Sequence, residues 1–432
     1  MLPVLALLVA GLSGCVGDGG IASRSSASPG DPDAAPLSAP RLDRKGAVRS
    51  QLIADLAQRR SILPKGGPFD RVAASVLTAS AGAAEAELRV ARLTARARSK
   101  NWLPSIGPNV SLSSLGSLAA SLLLDQALFD NGRRSAERAF AAADVEVAAI
   151  ALATELNQRV YEGLKHYVEI QHAEALSAIT ETALTRMKDF ERVMAIRNRG
   201  GLADGSEYRI MAQKLAEMQA TLSQEQQAAA TARAELEAMS AGGLGQLRGL
   251  SDLPPDQGTP DPLSVLLARG EAARTQAEVR MARAGLMPGF GASAALDKTG
   301  DLDAGLKLDG EGLGFGRSDN MKALAESETA ALRRIDEADE AATRRIVALQ
   351  REIVSLTAQE AQQAVVLDQM TANLELFTEQ YKAGRRSLLE LVGQFETLVR
   401  MQRDHAALKY AITLARLEIA RDRGLLVDGA AM

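Results

Sequence analysis

The chain has 432 residues, a formal net charge of −4, 3% aromatic residues, one Trp and one Cys. So few aromatics exclude an ordinary globular core, because aromatic rings supply the largest buried areas there. The near-balanced charge offers neither a basic patch for nucleic acid nor an acidic solvating arm. What remains is rich in Ala, Leu, Glu, Gln and Arg, the composition of long paired helices.

Leu2 to Leu12 form an apolar run ending in Ser13-Gly14-Cys15. A membrane helix needs about 20 apolar residues, so residues 1–14 read as a signal peptide instead. Leu12-Ser13-Gly14-Cys15 resembles the cleavage box of bacterial lipoproteins. That resemblance implies acylation of Cys15 and, with Val16 following, sorting to the outer membrane. As the only cysteine, Cys15 has no intrachain disulfide partner. Residues 15–67 read as a lipidated tether, rich in Ser, Pro and Gly to about position 40, and an N-terminal helix. The helical pattern of 42–101 breaks at Pro64-Lys65-Gly66-Gly67-Pro68.

The period then changes. Ile106, Pro108, Val110 and Leu112 alternate with Ser105, Gly107, Asn109 and Ser111; after Ser113 to Gly116, Leu118, Ala120, Leu122 and Leu124 resume the apolar set. Period two on both sides of a Gly/Ser turn predicts a β-hairpin. Helical spacing runs from about 132 to 199. A second hairpin follows at Phe290 to Leu308 around Lys298-Thr299-Gly300, then a helix over 317–382.

This is an internal repeat. Pro104 and Pro288, Asp125 and Asp309, Gly132 and Gly316, Arg133 and Arg317, and Gly200 and Gly384 are each separated by 184 residues. A constant offset predicts one duplicated unit, spanning 68–247 and 263–432 with a linker at 248–262. In the long helix, Ile346, Leu349, Ile353, Leu356, Glu360, Gln363, Leu367, Met370, Leu374, Phe377 and Tyr381 follow a three-four seam. Leu398, Met401, His405, Leu408, Ile412, Ala415 and Ile419 repeat it in the returning helix, as do Leu215 to Met239 in the first unit. Such spacing predicts knobs-into-holes pairing.

Two hairpins give four strands. In lipid a sheet must close so that every backbone group is satisfied, and the smallest membrane barrels have eight strands. Several chains must therefore contribute. Even-numbered strand residues are apolar and suit lipid; odd-numbered Ser, Gly, Asn and Asp suit a wet lumen. Trp102, Phe129, Phe290 and Phe315 fall at hairpin ends, where interfacial aromatics belong. Asp301, Asp303 and Asp309, beside one Lys307, give the lumen a net negative charge.

From about 68 to 427 the chain resembles the TolC-type outer-membrane factors, in a lipoprotein branch. The motifs are Leu103-Pro104 with its echo Ala282 to Pro288, Leu128-Phe129-Asp130-Asn131-Gly132-Arg133-Arg134, the turn Tyr381 to Val392, and the ending Tyr410 to Leu426. The resemblance implies a mainly α fold with a membrane β part: a homotrimer with a trimeric α-barrel of antiparallel coiled coils and a twelve-stranded β-barrel. It implies no enzyme activity and no cofactor, but a passive efflux duct joined to a periplasmic adaptor and an inner-membrane transporter. The alternatives are the duct of a type I protein secretion system and a lipid-anchored coiled-coil scaffold without a pore. Docking tips are implied at Gly200, Gly201, Leu202, Ser206, Gly384, Arg385 and Ser387. A gate is implied at Tyr381, Arg386 and Glu207, with an acidic ring at Glu390. Gly393 replaces a second acid of the family pattern.

Other constellations carry less. His166 and His172, six apart, fall on different helix faces, and His405 sits on an apolar seam. The glycines of Gly310 to Gly316 lack the Lys-Ser/Thr of a phosphate loop. Gly201 and Gly384 suit left-handed helix ends, and Ser206 and Ser387 suit caps of the next helix. If Cys15 is acylated, intact-mass spectrometry of the mature protein shows the lipid, and Cys15→Ser removes that mass. An unmodified Cys15 rejects the anchor.

Overall fold

A computed structural model describes residues 40–43, 46–80, 82–112, 118–254, 260–297, 301–309 and 316–431. The tether with Cys15, both hairpin turns and residues 310–315 lie outside them. The elements in order are β1 (Arg41–Leu42), β2 (Val48–Arg49), α1 (Gln51–Gln58), α2 (Pro68–Thr78), α3 (Ala83–Arg98), β3 (Ser105–Leu112), β4 (Leu118–Phe129), α4 (Arg133–Arg199) and α5 (Gly205–Met239). They continue with α6 (Leu263–Gly285), β5 (Gly289–Asp297), β6 (Leu302–Asp309), α7 (Arg317–Lys382), α8 (Leu388–Asp422) and a closing 3-10 turn. Helix, hairpin, very long helix and returning helix thus occur twice. The stretch of 42–101 expected to be helical instead opens with a short ladder, Leu42 opposite Val48, and continues as three helices, with a second break at Gly82 (φ +64°) beyond the proline break.

At 67 and 66 residues, α4 and α7 each extend about 100 Å. Each hairpin's returning helix has 35 residues. Among the described residues, no helix is long and apolar enough to cross a membrane. The predicted seam of α7 is its covered face: Ile346 and Leu374 are buried, and Leu349, Ile353, Leu356, Glu360, Gln363, Leu367, Met370, Phe377 and Tyr381 are half-buried among exposed neighbours. The opposite side keeps Val347, Val354, Val365 and Leu376 exposed. By contrast α4 packs against α1, α2, α3, α5, α6 and α8.

Among the described residues the buried apolar side chains form four clusters along this frame. At mid-height, Phe69, Val72 and Val76 of α2 pack on Val160, Leu164 and Tyr167 of α4 and on Leu417 and Leu426. Gly163 makes this approach possible, since a Cβ there would lie 2.7 Å from Val76 Cγ2. Segments distant in sequence are tied through buried polar groups. Arg59 donates to the carbonyls of Arg423 (2.6 Å) and Asp261 (3.0 Å), and Asn157 Oδ1 accepts from Leu426 N (2.9 Å). The Tyr167 hydroxyl donates to Gly249 O at 2.8 Å, pinning the segment that joins the two repeats.

Burial pushes the Tyr167 hydroxyl from its ordinary value near 10 up to about 12. The folded state therefore favours the neutral phenol. The stabilisation is complete below pH 10 and is lost as pH rises through about 12. Tyr167→Phe should lower stability by about 1 kcal/mol at neutral pH and flatten the loss of melting temperature between pH 10 and 12.

Candidate functional site: pore wall and helical tips

The four hairpin strands form one antiparallel sheet in the order β3-β4-β5-β6. Directly paired residues share a face, so register gives two continuous surfaces. Ile106, Leu124, Ala294 and Ala304 form one row, and Pro108, Leu122, Leu296 and Leu302 the next. Gln126, Ala292 and Leu306 follow, then Phe290 and Leu308. Apart from Gln126, this even-numbered face is apolar, and Leu306 is 81% exposed on it. The opposite face carries Ser105, Asp125, Ser293 and Gly305 in one row, and Gly107, Leu123, Ala295 and Asp303 in another. Asp309 holds an odd position opposite Gly289, and Lys307 one opposite Gly291. Asp301 precedes β6 and has no ladder partner there. Asp125 adds a carboxylate to this face, as its odd parity requires.

Phe129 breaks the parity rule. Ala127 pairs with Gly291, but Phe129 pairs with Phe290, so a bulge at Leu128 turns an odd-numbered aromatic onto the apolar face. Below it, Asp130 caps α4 by accepting from Gly132 N (3.1 Å) and Arg134 N (3.0 Å). Asn131 adopts φ +53°, which Asn tolerates better than most residues, and its Nδ2 donates to Pro288 O at 2.8 Å. Asp-Asn-Gly is thus the corner that joins strand to helix and one repeat to the other.

At the far end both helical hairpins turn on a left-handed glycine, Gly201 (φ +69°) and Gly384 (φ +71°). Gly201 N donates to Asn198 O and Leu202 N to Arg197 O; Gly384 N donates to Tyr381 O and Arg385 N to Gln380 O. These paired bonds close the last helical turn. The sequence offset is corrected here. Gly200, paired with Gly384 by the 184-residue subtraction, has an unremarkable φ of −82°; the equivalent of Gly384 is Gly201, 183 residues away. One cap is also corrected. Asp204, not Ser206, is the N-cap of α5, and the Ser206 hydroxyl donates to Asp204 Oδ2 at 2.8 Å. That hydroxyl and the backbone N–H of Ser206 hold the Asp204 carboxyl below its usual range.

Ser387 caps α8 in a reciprocal box: Glu390 N donates to its Oγ (3.2 Å), and its N–H donates to Glu390 Oε2 (2.8 Å). The Ser387 backbone N–H, then its hydroxyl, then Arg386, hold the Glu390 carboxyl low. Arg386 folds over its own turn, 3.3 Å from Glu390 Oε1, 3.2 Å from Gln380 Oε1 and 5.1 Å from the Phe377 ring centre. Arg386 and Glu390 are therefore together within one chain, and Tyr381 is half-buried against the tip core. Glu207 stands apart, half-buried in the first turn of α5. Leu202 is 74% exposed, and Arg385 is exposed beside Gly384.

A shared core of Met187, Met194, Met211, Leu374, Leu391 and Phe395 binds the two hairpins near their tips. Two ion pairs unmarked by any motif bridge α5 to α8: Lys214 with Glu396, and Arg403 with Glu225 at 2.5 Å. Glu225 also accepts from the buried Thr180 hydroxyl (3.2 Å). His166 Nδ1 lies 3.1 Å from both Glu169 and Glu235. His172 stacks on Tyr410 (5.0 Å) and is pushed down chiefly by burial. His405 is half-buried. Among the described residues, no three His, Cys, Asp or Glu side chains gather as metal ligands.

No protein-family model and no curated protein matches the chain. Solved structures do. The outer-membrane channel OprN shares 16% identity at a TM-score of 0.72, covering 91% of this chain and 98% of that one. The chain has the fold of the outer-membrane channels. The outer membrane protein VceC from Vibrio cholerae is similar at 16% identity and TM-score 0.68, over 86% of this chain and 95% of that one. The open-state MtrE outer membrane channel of Neisseria gonorrhoeae matches at 13% and 0.65, over 90% and 91%. This is the fold that the TolC-type resemblance implied.

Losing the cap hydroxyl in Ser387→Ala should cost about 1 kcal/mol, read as faster amide hydrogen exchange over 387–391. Asp204→Ala should do the same at the other tip, and Ser206→Ala should do clearly less. Equal effects of the latter two would reverse the cap assignment.

Proposed function

We propose that the chain is one subunit of an outer-membrane duct, a homotrimer through which an export system passes small molecules out of the cell. The observation that carries this reading is the sheet: four strands, one continuous apolar face, an opposite face carrying Ser105, Asp125, Ser293 and Asp303, and two outer strands with no further partner among the described residues. Such a sheet is satisfied in lipid by closing with copies of itself. The apolar face then meets lipid, and Asp303, Asp309 and Asp301 belong to a lumen that prefers cations. Acylated Cys15 would add a second anchor in the same membrane.

The duplication supports an assembly of copies. Gly270 of α6 lies against Val147 and Ile150 of α4, and Arg274 pairs with Asp144 at 3.4 Å. The equivalent face of α3, 184 residues earlier, is Ala86, Val90 and, one turn on, Leu93. Val90 and Leu93 are each 62% exposed. Counted back from the turns, where the offset is 183, Ala141, Val145 and Leu152, packed in one cluster with α3, correspond to Leu324, Glu328 and Ile335, half-buried on α7. The counterpart of Asp144 is then Ser327, exposed on α7. A neighbour's α7 against α3 would repeat between chains the junction made within the chain.

The tips face the rest of the export system in this reading. Leu202 and Arg385, on turns fixed by Gly201 and Gly384, offer exposed side chains for the helical hairpins of a periplasmic adaptor, which links the duct to an inner-membrane transporter. Tyr381 and Arg386 would hold the closed state against Glu207 of an adjoining hairpin, with Glu390 forming a single acidic ring. An exposed ion pair contributes about 0–1 kcal/mol, so closure needs the threefold repetition, and an adaptor reverses it by binding the open tips better.

Two measurements test the assembly and the pore. In membranes, Val90→Cys combined with Ser327→Cys should give disulfide-linked trimers, and either variant alone should not. In planar bilayers the wild type should conduct with a weak cation preference that falls when Asp301, Asp303 and Asp309 become Asn. Leu306→Arg should hinder insertion by about 2–4 kcal/mol near the midplane. Stable monomers without conductance would leave a coiled-coil scaffold.

A further inference from the structure

The apolar seams of three helices break at one level. On α7 the break is Glu360 and Gln363, on α8 it is His405, and on α5 it is Glu225, three residues after Leu222 and four before Ala229. All four are buried or half-buried. Arg345 of α7 pairs with Glu418 of α8, and fifteen residues along each antiparallel helix from that pair stand Glu360 and Arg403. Glu225 ties α5 to both other helices here. It accepts from the Thr180 hydroxyl of α4 at 3.2 Å and pairs with Arg403 at 2.5 Å.

This polar layer divides two apolar cores. The buried members of the mid-height core end at Ile170 on α4 and Tyr410 on α8, and those of the tip core begin at Ala183 and Val399. Among the described residues, seven buried side-chain polar atoms have no protein partner. Five of them are here: His172 Nε2, Ser177 Oγ, Glu225 Oε2, Gln363 Oε1 and Arg403 Nε. A polar group on a coiled-coil seam fixes register at a cost in stability, and a half-satisfied network holds less well than apolar packing. The layer is the weak point between the two cores.

His172 gives the layer a response to acid. Burial, and then the neighbouring Arg403 guanidinium, hold its ring below the ordinary value of 6.5, against Glu169, which raises it. The carboxylates around it are engaged: Glu169 lies 3.1 Å from His166, Glu174 takes Arg233 of α5 at 2.7 Å, and Glu225 holds Arg403. Glu360 of α7 shares a cleft with Lys409, which lies 4.9 Å over the Tyr410 ring on which His172 stacks. Asp404 is exposed, and His405 is the other titratable ring on the α8 seam. A proton on His172 adds a second cation beside Arg403, and parting the helices to admit water relieves it. We propose that this polar layer is an acid-sensitive hinge: protonation of His172 loosens the second helical hairpin from the first, and the tips swing on the locked mid-height core. The hinge holds fully above pH 6.5 and is lost as pH falls through the lower value of the folded ring. It lies within one chain, so it stands or falls independently of the pore.

The test is amide hydrogen exchange of the full-length protein in detergent at about pH 7.5 and about pH 5.5, corrected for the intrinsic pH dependence of exchange. Acid should speed exchange of the wild type at least about fivefold over 388–409 of α8 and 205–225 of α5. Residues 160–170 of α4, in the mid-height core, should not change. His172→Gln and His172→Asn, which cannot take the charge, should each abolish the acceleration, with 160–170 still protected to show that the variant is folded. His166→Gln and His405→Gln should keep it. Three results would overturn the hinge: no acid response in the wild type, a response that persists in the uncharged His172 variants, or equal acceleration of 160–170. A protein that conducts in bilayers without this response keeps the duct and loses only the hinge.

Discussion

Backbone hydrogen bonding at the two outer strands governs the molecule. Among the described residues β3 and β6 each have one side with no partner, and in hydrocarbon an unsatisfied peptide group costs several kcal/mol. A surface ion pair contributes about 0–1 kcal/mol. Closing the sheet therefore outweighs any single contact at the tips. The Asp130-Asn131-Gly132 corner then sets how the long helix leaves the sheet.

The helical part is less uniform than its duplicated plan. α4 is enclosed by six other helices, whereas α7 rests on α6 and α8 and shows its other side to the surroundings. The pair α7 and α8 is thus the less anchored half. Near the tips its ties to the first hairpin are a methionine-rich core, whose flexible side chains tolerate rearrangement, and the two ion pairs from α5 to α8. A change at the tips has to work through these contacts, because the mid-height core around Tyr167 and Phe69 is locked by close packing.

Long-range periodicity made most of this legible in the sequence. The seam from Ile346 to Tyr381 lies along the covered face of α7, and the alternation of Ile106 to Leu124 marks one face of the sheet, because both depend only on the repeat of the backbone. The failures are local. Phe129 changes face through a bulge that parity cannot register. Asp204 displaces Ser206 as a cap because its side chain precedes the helix by the right number of residues, a choice that side-chain geometry decides. The bridge from Arg403 to Glu225 has no motif, since helices that meet only in the folded chain make it.

The single residue by which α4 exceeds α7 has a geometric consequence. One residue of helix adds about 1.5 Å of rise and about 100° of rotation, so the two hairpins of a chain cannot present their turns at matching height and azimuth by length alone. In the proposed ring of copies the turns would alternate, like the mismatched scales of a vernier. A partner of identical units docking there would meet two kinds of seat, and repeating one contact at every position would require an insertion or deletion of one residue.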